Sequence, residues 1–302
     1  MTNVSSTISS GAPNVTPPPA ARKRLPLQWL GVMPFFIFAL MFLILPTAYL
    51  VIGAFQNNQG EFTFENIAAL SQPTIVSAYW ISIRISLASS VIGALAGFAI
   101  ALAIVRGGLP KWARPATMTF SGVASNFAGV PLAFAFLATL GRLGLVTVGL
   151  RAIGIDIYSL GFTILSFWGL TLTYLFFQIP LMVVIITPAI DGLKKEWGEA
   201  AATLGATTSQ YWRMVAIPVI WPSFLGTVVL LFANAFGAIA TAYALTGSSL
   251  NIVPILLYAQ IRGDVLHNPH LGYALAFGMI MITGLANVLY IWFRTRSERW
   301  LK

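Results

Sequence analysis

Residues able to do covalent or metal chemistry are scarce in this chain, and they do not converge. The two histidines, His267 and His270, form a His-x-x-His pair in the segment Thr246–His270, with Asp264 upstream and Pro269 between them. A metal site would need a third ligand at standard spacing, and none follows, so surface histidines facing a partner are the expectation. Cysteine is absent, which excludes disulfides and thiolate sites. No G-x-S-x-G elbow and no H-E-x-x-H pair occurs. The G-x-x-x-x-G-K-[ST] loop that cradles phosphates is also missing, so ATP hydrolysis is not this chain's own chemistry.

The densest signal is instead a polar segment from Asp191 to Pro218, DGLKKEWGEAAATLGATTSQYWRMVAIP. Leu193, Trp197, Ala200 and Leu204 recur at helical spacing on one side, while Lys194, Lys195, Glu196 and Glu199 cover the rest. Lys195 and Glu199 are four apart, in the less favourable order for a helical pair. Gly205 is placed to end that helix as a C-cap. A second short helix is expected to start with Thr208 or Ser209 as N-cap and to stop before Pro218. The pattern predicts a helix–turn–helix with one face for its own protein and a charged, exposed tip.

What must position this segment is a membrane bundle. Of 302 residues, 58% are hydrophobic and 8% charged, against roughly 25% charged in soluble domains. So few charges cannot clothe a water-facing surface. Stretches of about 20 apolar residues cross a bilayer as helices, and six are expected: about 29–55, 78–105, 116–140, 160–190, 219–245 and 271–293. The fourth contains Pro180 and Pro188, so its last turns are expected to kink or to leave the membrane; Pro131 should loosen the third. Residues 1–24 are rich in Ser, Thr, Asn and Pro and read as a disordered cytoplasmic tail, leaving 25–302 as the membrane domain with the loop 191–218. The first apolar run is too long for a signal-peptide core and no cleavage site follows, so it should remain as a span.

The net charge of +9 suggests nucleic acid, but no basic stripe interleaves with aromatics, and no nucleic-acid partner is expected. With the N-terminus inside, the inner segments carry Arg22, Lys23, Arg24, Arg106, Lys111, Arg114, Lys194, Lys195, Arg213, Arg294, Arg296, Arg299 and Lys302, thirteen of the seventeen basic residues. The positive-inside rule then predicts cytoplasmic termini. Ser89, Gly93, Gly97 and Ala101 form a small-residue stripe, for which packing within the chain is favoured over a subunit interface.

Glu199-Ala200-Ala201, three residues, Gly205, nine residues, then Val215-Ala216-Ile217-Pro218 resembles the EAA signature of ABC importer permeases. The signature ends I-x-L-P; Val215 and Ile217 are the two conservative departures. The resemblance runs from about Trp29 to the C-terminus. It implies an all-α membrane protein of six transmembrane helices with a cytoplasmic coupling helix, in a bacterial inner membrane. Glu199, Ala200, Ala201, Gly205 and Pro218 would form the element that docks on a separate ATP-binding cassette subunit, with ATP and Mg2+ held there and no cofactor on this chain. Two such ATPases, a second permease chain (a homologous partner rather than an identical one) and an extracytoplasmic substrate-binding protein are the implied partners, within membrane lipid. The chain would be a transporter subunit, not an enzyme. Texture from the loop through Tyr243-Ala-Leu-Thr-Gly247 resembles the polyamine branch, with ferric iron, thiamine and aminoethylphosphonate permeases near it.

Polar residues inside spans are expensive and mark pathways or helix contacts. Ser125, Gln178, Thr241 and Asn287 are candidates of either kind. Because permeases of this type line their route with the fifth span, Asn234 and Phe236 are expected on the pathway, with Asn126 and Tyr243; if Phe236 gates it, truncation to Ala should raise the uncoupled leak or basal ATPase rate. Arg84, near the outer end of the second span, is expected to snorkel to headgroups. A secondary transporter would need coupling carboxylates in its spans, and the six contain no Asp or Glu.

Overall fold

The computed structural model describes residues 28–247, 249–262 and 268–298. The expected tail, with Arg22, Lys23 and Arg24, and also Asp264, His267, Arg299 and Lys302, lie outside the described residues. The described residues are almost wholly helical, and their β-pairing is a single bridge between Gln56 and Phe62. Two compact units meet at residue 47 of the chain, and each is described by itself.

Six helical segments are long and apolar enough to cross a membrane: Gly31–Gly53, Pro73–Arg106, Val130–Ala152, Phe167–Asp191, Thr208–Phe236 and Pro269–Phe293. The number matches the expectation, but two boundaries do not. The expected third span is two helices, Ala113–Ala124 and Val130–Leu140, and a further helix Leu145–Ala152 follows it. The expected fifth span is also divided, into Ile217–Phe236 and Ile239–Thr246. The fourth segment runs through Pro180 and Pro188 as one helix, Phe167–Asp191, and Ser166 caps it by accepting from the Gly169 N–H.

Two prolines that should break helices are absorbed the same way. A π-turn, Leu40–Ile44, immediately precedes Leu45-Pro46, and another, Trp212–Ala216, precedes Ile217-Pro218. Each proline lacks an N–H and crowds the preceding turn; the wider turn relieves it. The second short helix therefore does not stop before Pro218: Thr208–Tyr211 continues through the π-turn into the fifth segment.

Within the larger unit, the second and fourth segments form the central pair. The stripe Ser89, Gly93, Gly97 and Ala101 is buried. A Cβ at Gly97 would lie 2.6 Å from both the Ile179 carbonyl oxygen and the Met182 Cβ, so the stripe lets these two helices touch backbone to backbone. The fifth segment packs on both, and the sixth on the fifth. One apolar cluster, with Ile85, Leu132, Tyr174, Phe177 and Ala235, holds one end of the bundle. Another, with Met182, Ile190, Leu193, Ala216 and Ile220, holds the end nearer the polar loop.

Candidate functional site: the loop helix and a hollow at two helix breaks

The loop 191–218 folds as the helix Lys195–Thr203 followed by a sharp reversal. Gly205 takes φ +77, where a side chain is strained. The Ala206 N–H donates to the Ala201 carbonyl at 3.0 Å and the Gly205 N–H to Ala202 at 2.9 Å, the two bonds of a Schellman cap. The next helix is capped by Thr207, one residue before the earlier of the two expected caps, in a reciprocal capping box with Gln210.

Two arginines fasten the base of this loop. Arg106, at the end of the second segment, donates to the Leu193 carbonyl at 2.7 Å, and Arg114 pairs with Asp191 at 2.5 Å. Sequence reasoning counted both only as orientation charges. Glu199 is exposed and pairs with Lys195 at 3.3 Å along the same helix. Ala200 and Ala201, with Trp197, Leu204, Val215 and Val219, line an apolar hollow of about 410 Å3. Leu204, expected on the inward face, is 86% exposed, because the reversal at Gly205 carries it to the tip. Trp197 packs on the inner cluster beside Tyr211 and Trp212. Pro218 lies in the first turn of Ile217–Phe236 and anchors the loop's return to the bundle.

A second concavity forms where the two divided segments meet. Gly129, with φ +77 and ψ −150, turns the chain between Ala113–Ala124 and Val130–Leu140, and its N–H donates to the Thr241 hydroxyl at 2.7 Å. In the fifth segment, Ala238 at φ −79 and ψ +63 makes an inverse γ-turn, with the Ile239 N–H donating to Gly237 at 2.8 Å. Between the breaks lies a hollow of about 260 Å3 lined by Ser125, Gly129, Phe177, Asn234, Ala238 and Thr241, among others. The helices Val130–Leu140 and Ile239–Thr246 both begin at its wall, so the positive ends of their dipoles face the hollow.

Of the four expected pathway residues, the structure brings only Asn234 to this hollow. Asn126 is exposed beside it and turns back to donate to the Gly122 carbonyl. Phe236 is buried at 2% exposure, stacked on Phe232 and facing Ser82, Ile85 and Tyr174. Its neighbours alternate around the helix, so the residue two before it, Asn234, takes the open side. Tyr243 is exposed and packs against Tyr258, the two rings tilted by 46° with centroids 4.8 Å apart. The aromatic side chain at the hollow is Phe177. The signals for this site were Gly129, two residues before Pro131, and Gly237 within an apolar run.

The remaining candidates are placed as packing groups. Asn287 donates to the Thr283 carbonyl one turn back. Arg84 is exposed with its guanidinium over the Phe167 ring at 5.5 Å. His270 lies 3.3 Å from the Gly53 carbonyl and edge-on to Tyr273, and among the described residues no group of three metal-ligating side chains forms.

Comparison with known proteins agrees with this architecture. A molybdenum transport system permease protein of Mycobacterium tuberculosis is 28% identical over 223 residues, 72% of this chain and 79% of the relative. A sulfate transport system permease protein of Salmonella typhimurium is 24% identical over 251 residues, 80% and 84% of the two chains. A spermidine/putrescine permease protein of Escherichia coli aligns at 28% over 101 residues, 33% of this chain and 38% of the relative. Among solved structures, a chain of a bacterial ABC transporter involved in import of the acidic polysaccharide alginate has the same fold, with TM-score 0.67 at 21% identity over 90% of this chain and 95% of that one. Residues 93–302 match the family described as binding-protein-dependent transport system inner membrane component. With six apolar helices and the EAA loop between the fourth and fifth, the chain belongs to that family, the multi-pass permease subunits of ABC importers.

Proposed function

We propose that this permease forms the transmembrane route for a small tetrahedral oxyanion of the molybdate or sulfate class. The observation that carries the reading is the hollow at the two helix breaks. Two helix N-termini meet there, Ser125, Asn234 and Thr241 supply polar groups, and no carboxylate lines it among the described residues. Dehydrated anions are stabilised by such N–H ends, whereas a polycation would find no counter-charge. The molybdenum and sulfate relatives align over most of the chain, and support the same cargo. The polyamine cargo expected from the loop and the final span has narrower support, since the polyamine relative aligns over about a third of the chain.

Around this route we place three partners. The loop 191–218 faces the cytoplasm and docks on a separate ATPase through Glu199, Ala200, Ala201 and Gly205; ATP and Mg2+ stay on that subunit. A second permease chain, homologous rather than identical, closes the open side of the hollow, where Asn126, Asn234 and Ala240 are exposed. A substrate-binding protein delivers cargo from outside. The transporter alginate relative, solved in complex with a pentasaccharide-bound periplasmic protein, supports that last assignment.

The test is ATP-dependent uptake into liposomes carrying the permease with its companion ATPase, second permease and binding protein. Molybdate or sulfate should accumulate and spermidine should not. Spermidine uptake without oxyanion uptake overturns the cargo, and failure to recover an ATPase with the permease overturns the docking.

A further inference from the structure

The division of the fifth segment is held from outside that segment. Tyr174 and Gln178 lie one turn apart on the fourth segment and face the fifth. The Tyr174 hydroxyl donates to the Ala238 carbonyl at 2.9 Å, at the centre of the γ-turn itself. The Gln178 side-chain amide donates to the Leu231 carbonyl at 2.9 Å, on the last full turns before the break. Both side chains are buried, Gln178 completely. On the far side, Gly93 of the second segment leaves room for Gln178: a Cβ there would lie 2.8 Å from the Gln178 Cβ.

A buried amide in a membrane bundle is costly unless its bonds matter. Apolar packing alone would be served better by Leu or Met at 178, and the Gln178 Oε1 faces no donor among the described residues. The amide is therefore kept for its N–H group. Leu231 lies less than two turns before Gly237 in the helix Ile217–Phe236, so its bond to Gln178 ties the end of that helix to the fourth segment just ahead of the break. The same fourth segment ends at Asp191, where Arg114 pairs and the EAA loop begins. One continuous helix thus connects the loop to both grips on the break.

We infer that Gln178 and Tyr174 are positioning residues that set the angle between Ile217–Phe236 and Ile239–Thr246, and with it the width of the hollow at Asn234 and Thr241. The inference uses family membership and the hinge geometry, and does not depend on the identity of the cargo. Displacing the fourth segment at the loop end would drag both carbonyls, moving the halves of the fifth segment together rather than singly.

The experiment is pulsed electron–electron spin spectroscopy on the whole assembled transporter in nanodiscs. This permease has no native cysteine, so Trp221→Cys and Ser249→Cys place nitroxides on either side of the break at exposed positions. Distances are read without nucleotide and with ATP plus vanadate. Gln178→Met keeps the length and removes the donor; Tyr174→Phe removes one hydroxyl. Each should raise the minor nucleotide-free distance population about five-fold, the effect of losing one hydrogen bond, and should raise basal ATPase turnover with it. Distance distributions like the parent's, in variants that still assemble with the ATPase, overturn the inference. A packing role alone would lower the yield and melting temperature and leave the distribution unmoved. If Gln178→Met fails to assemble, the decision rests on Tyr174→Phe, whose cavity is a single oxygen atom.

Discussion

Replacing Gly205 with valine tests the loop with little steric ambiguity. The residue sits at φ +77, and nothing lies within 4 Å of where its Cβ would be. The cost is therefore conformational: an L-residue held in the left-handed region loses about 1–2 kcal/mol, with a β-branched side chain at the upper end. The chain can escape only by leaving that region, which breaks the Ala206-to-Ala201 and Gly205-to-Ala202 bonds and lets the end of Lys195–Thr203 fray. Either way, the docking shape becomes less populated by about five- to thirty-fold, at ten-fold per 1.4 kcal/mol. Affinity for the companion ATPase should fall by the same factor. The assay is titration of labelled ATPase onto permease in nanodiscs, with the melting temperature of the permease followed in parallel. Asparagine tolerates the left-handed region, so the order of affinity should be Gly, Asn, Ala, Val, with the bundle's melting temperature unchanged throughout. Valine binding as tightly as glycine, or asparagine as weakly as valine, would refute the argument that the cap geometry is what the partner reads.

Two further substitutions separate docking from packing. Glu199→Lys removes an exposed pair with Lys195 worth about 0.3–0.5 kcal/mol. Melting should therefore barely change, while ATPase co-purification and uptake are lost; retention of both sinks the docking role. Phe236→Ala empties a buried aromatic site and should cost about 3–5 kcal/mol, seen as a lower melting temperature and yield. A raised basal ATPase rate at full stability would instead return Phe236 to the gate.

Much of this protein was legible without coordinates, because its strongest physical constraints act locally. Apolar length alone demands membrane helices, the basic residues cluster at one set of ends, and Glu199–Pro218 carries its family's spacing with a glycine where the chain must reverse. Gly205 reads correctly because its φ depends on its immediate neighbours. Phe236 does not, because which side of a helix faces an opening is decided by the elements packed around it. An apolar run also conceals its own interruption: residues 116–140 and 219–245 look continuous by hydropathy, while at Gly129 and Ala238, where the chain leaves the helix, Thr241 and Tyr174 from elsewhere in the bundle take up the backbone groups released. Arg106 and Arg114 show the same division. Their charge entered an orientation argument along the chain, and only the folded bundle brings them to Leu193 and Asp191, where they tie the loop to the helices beside it.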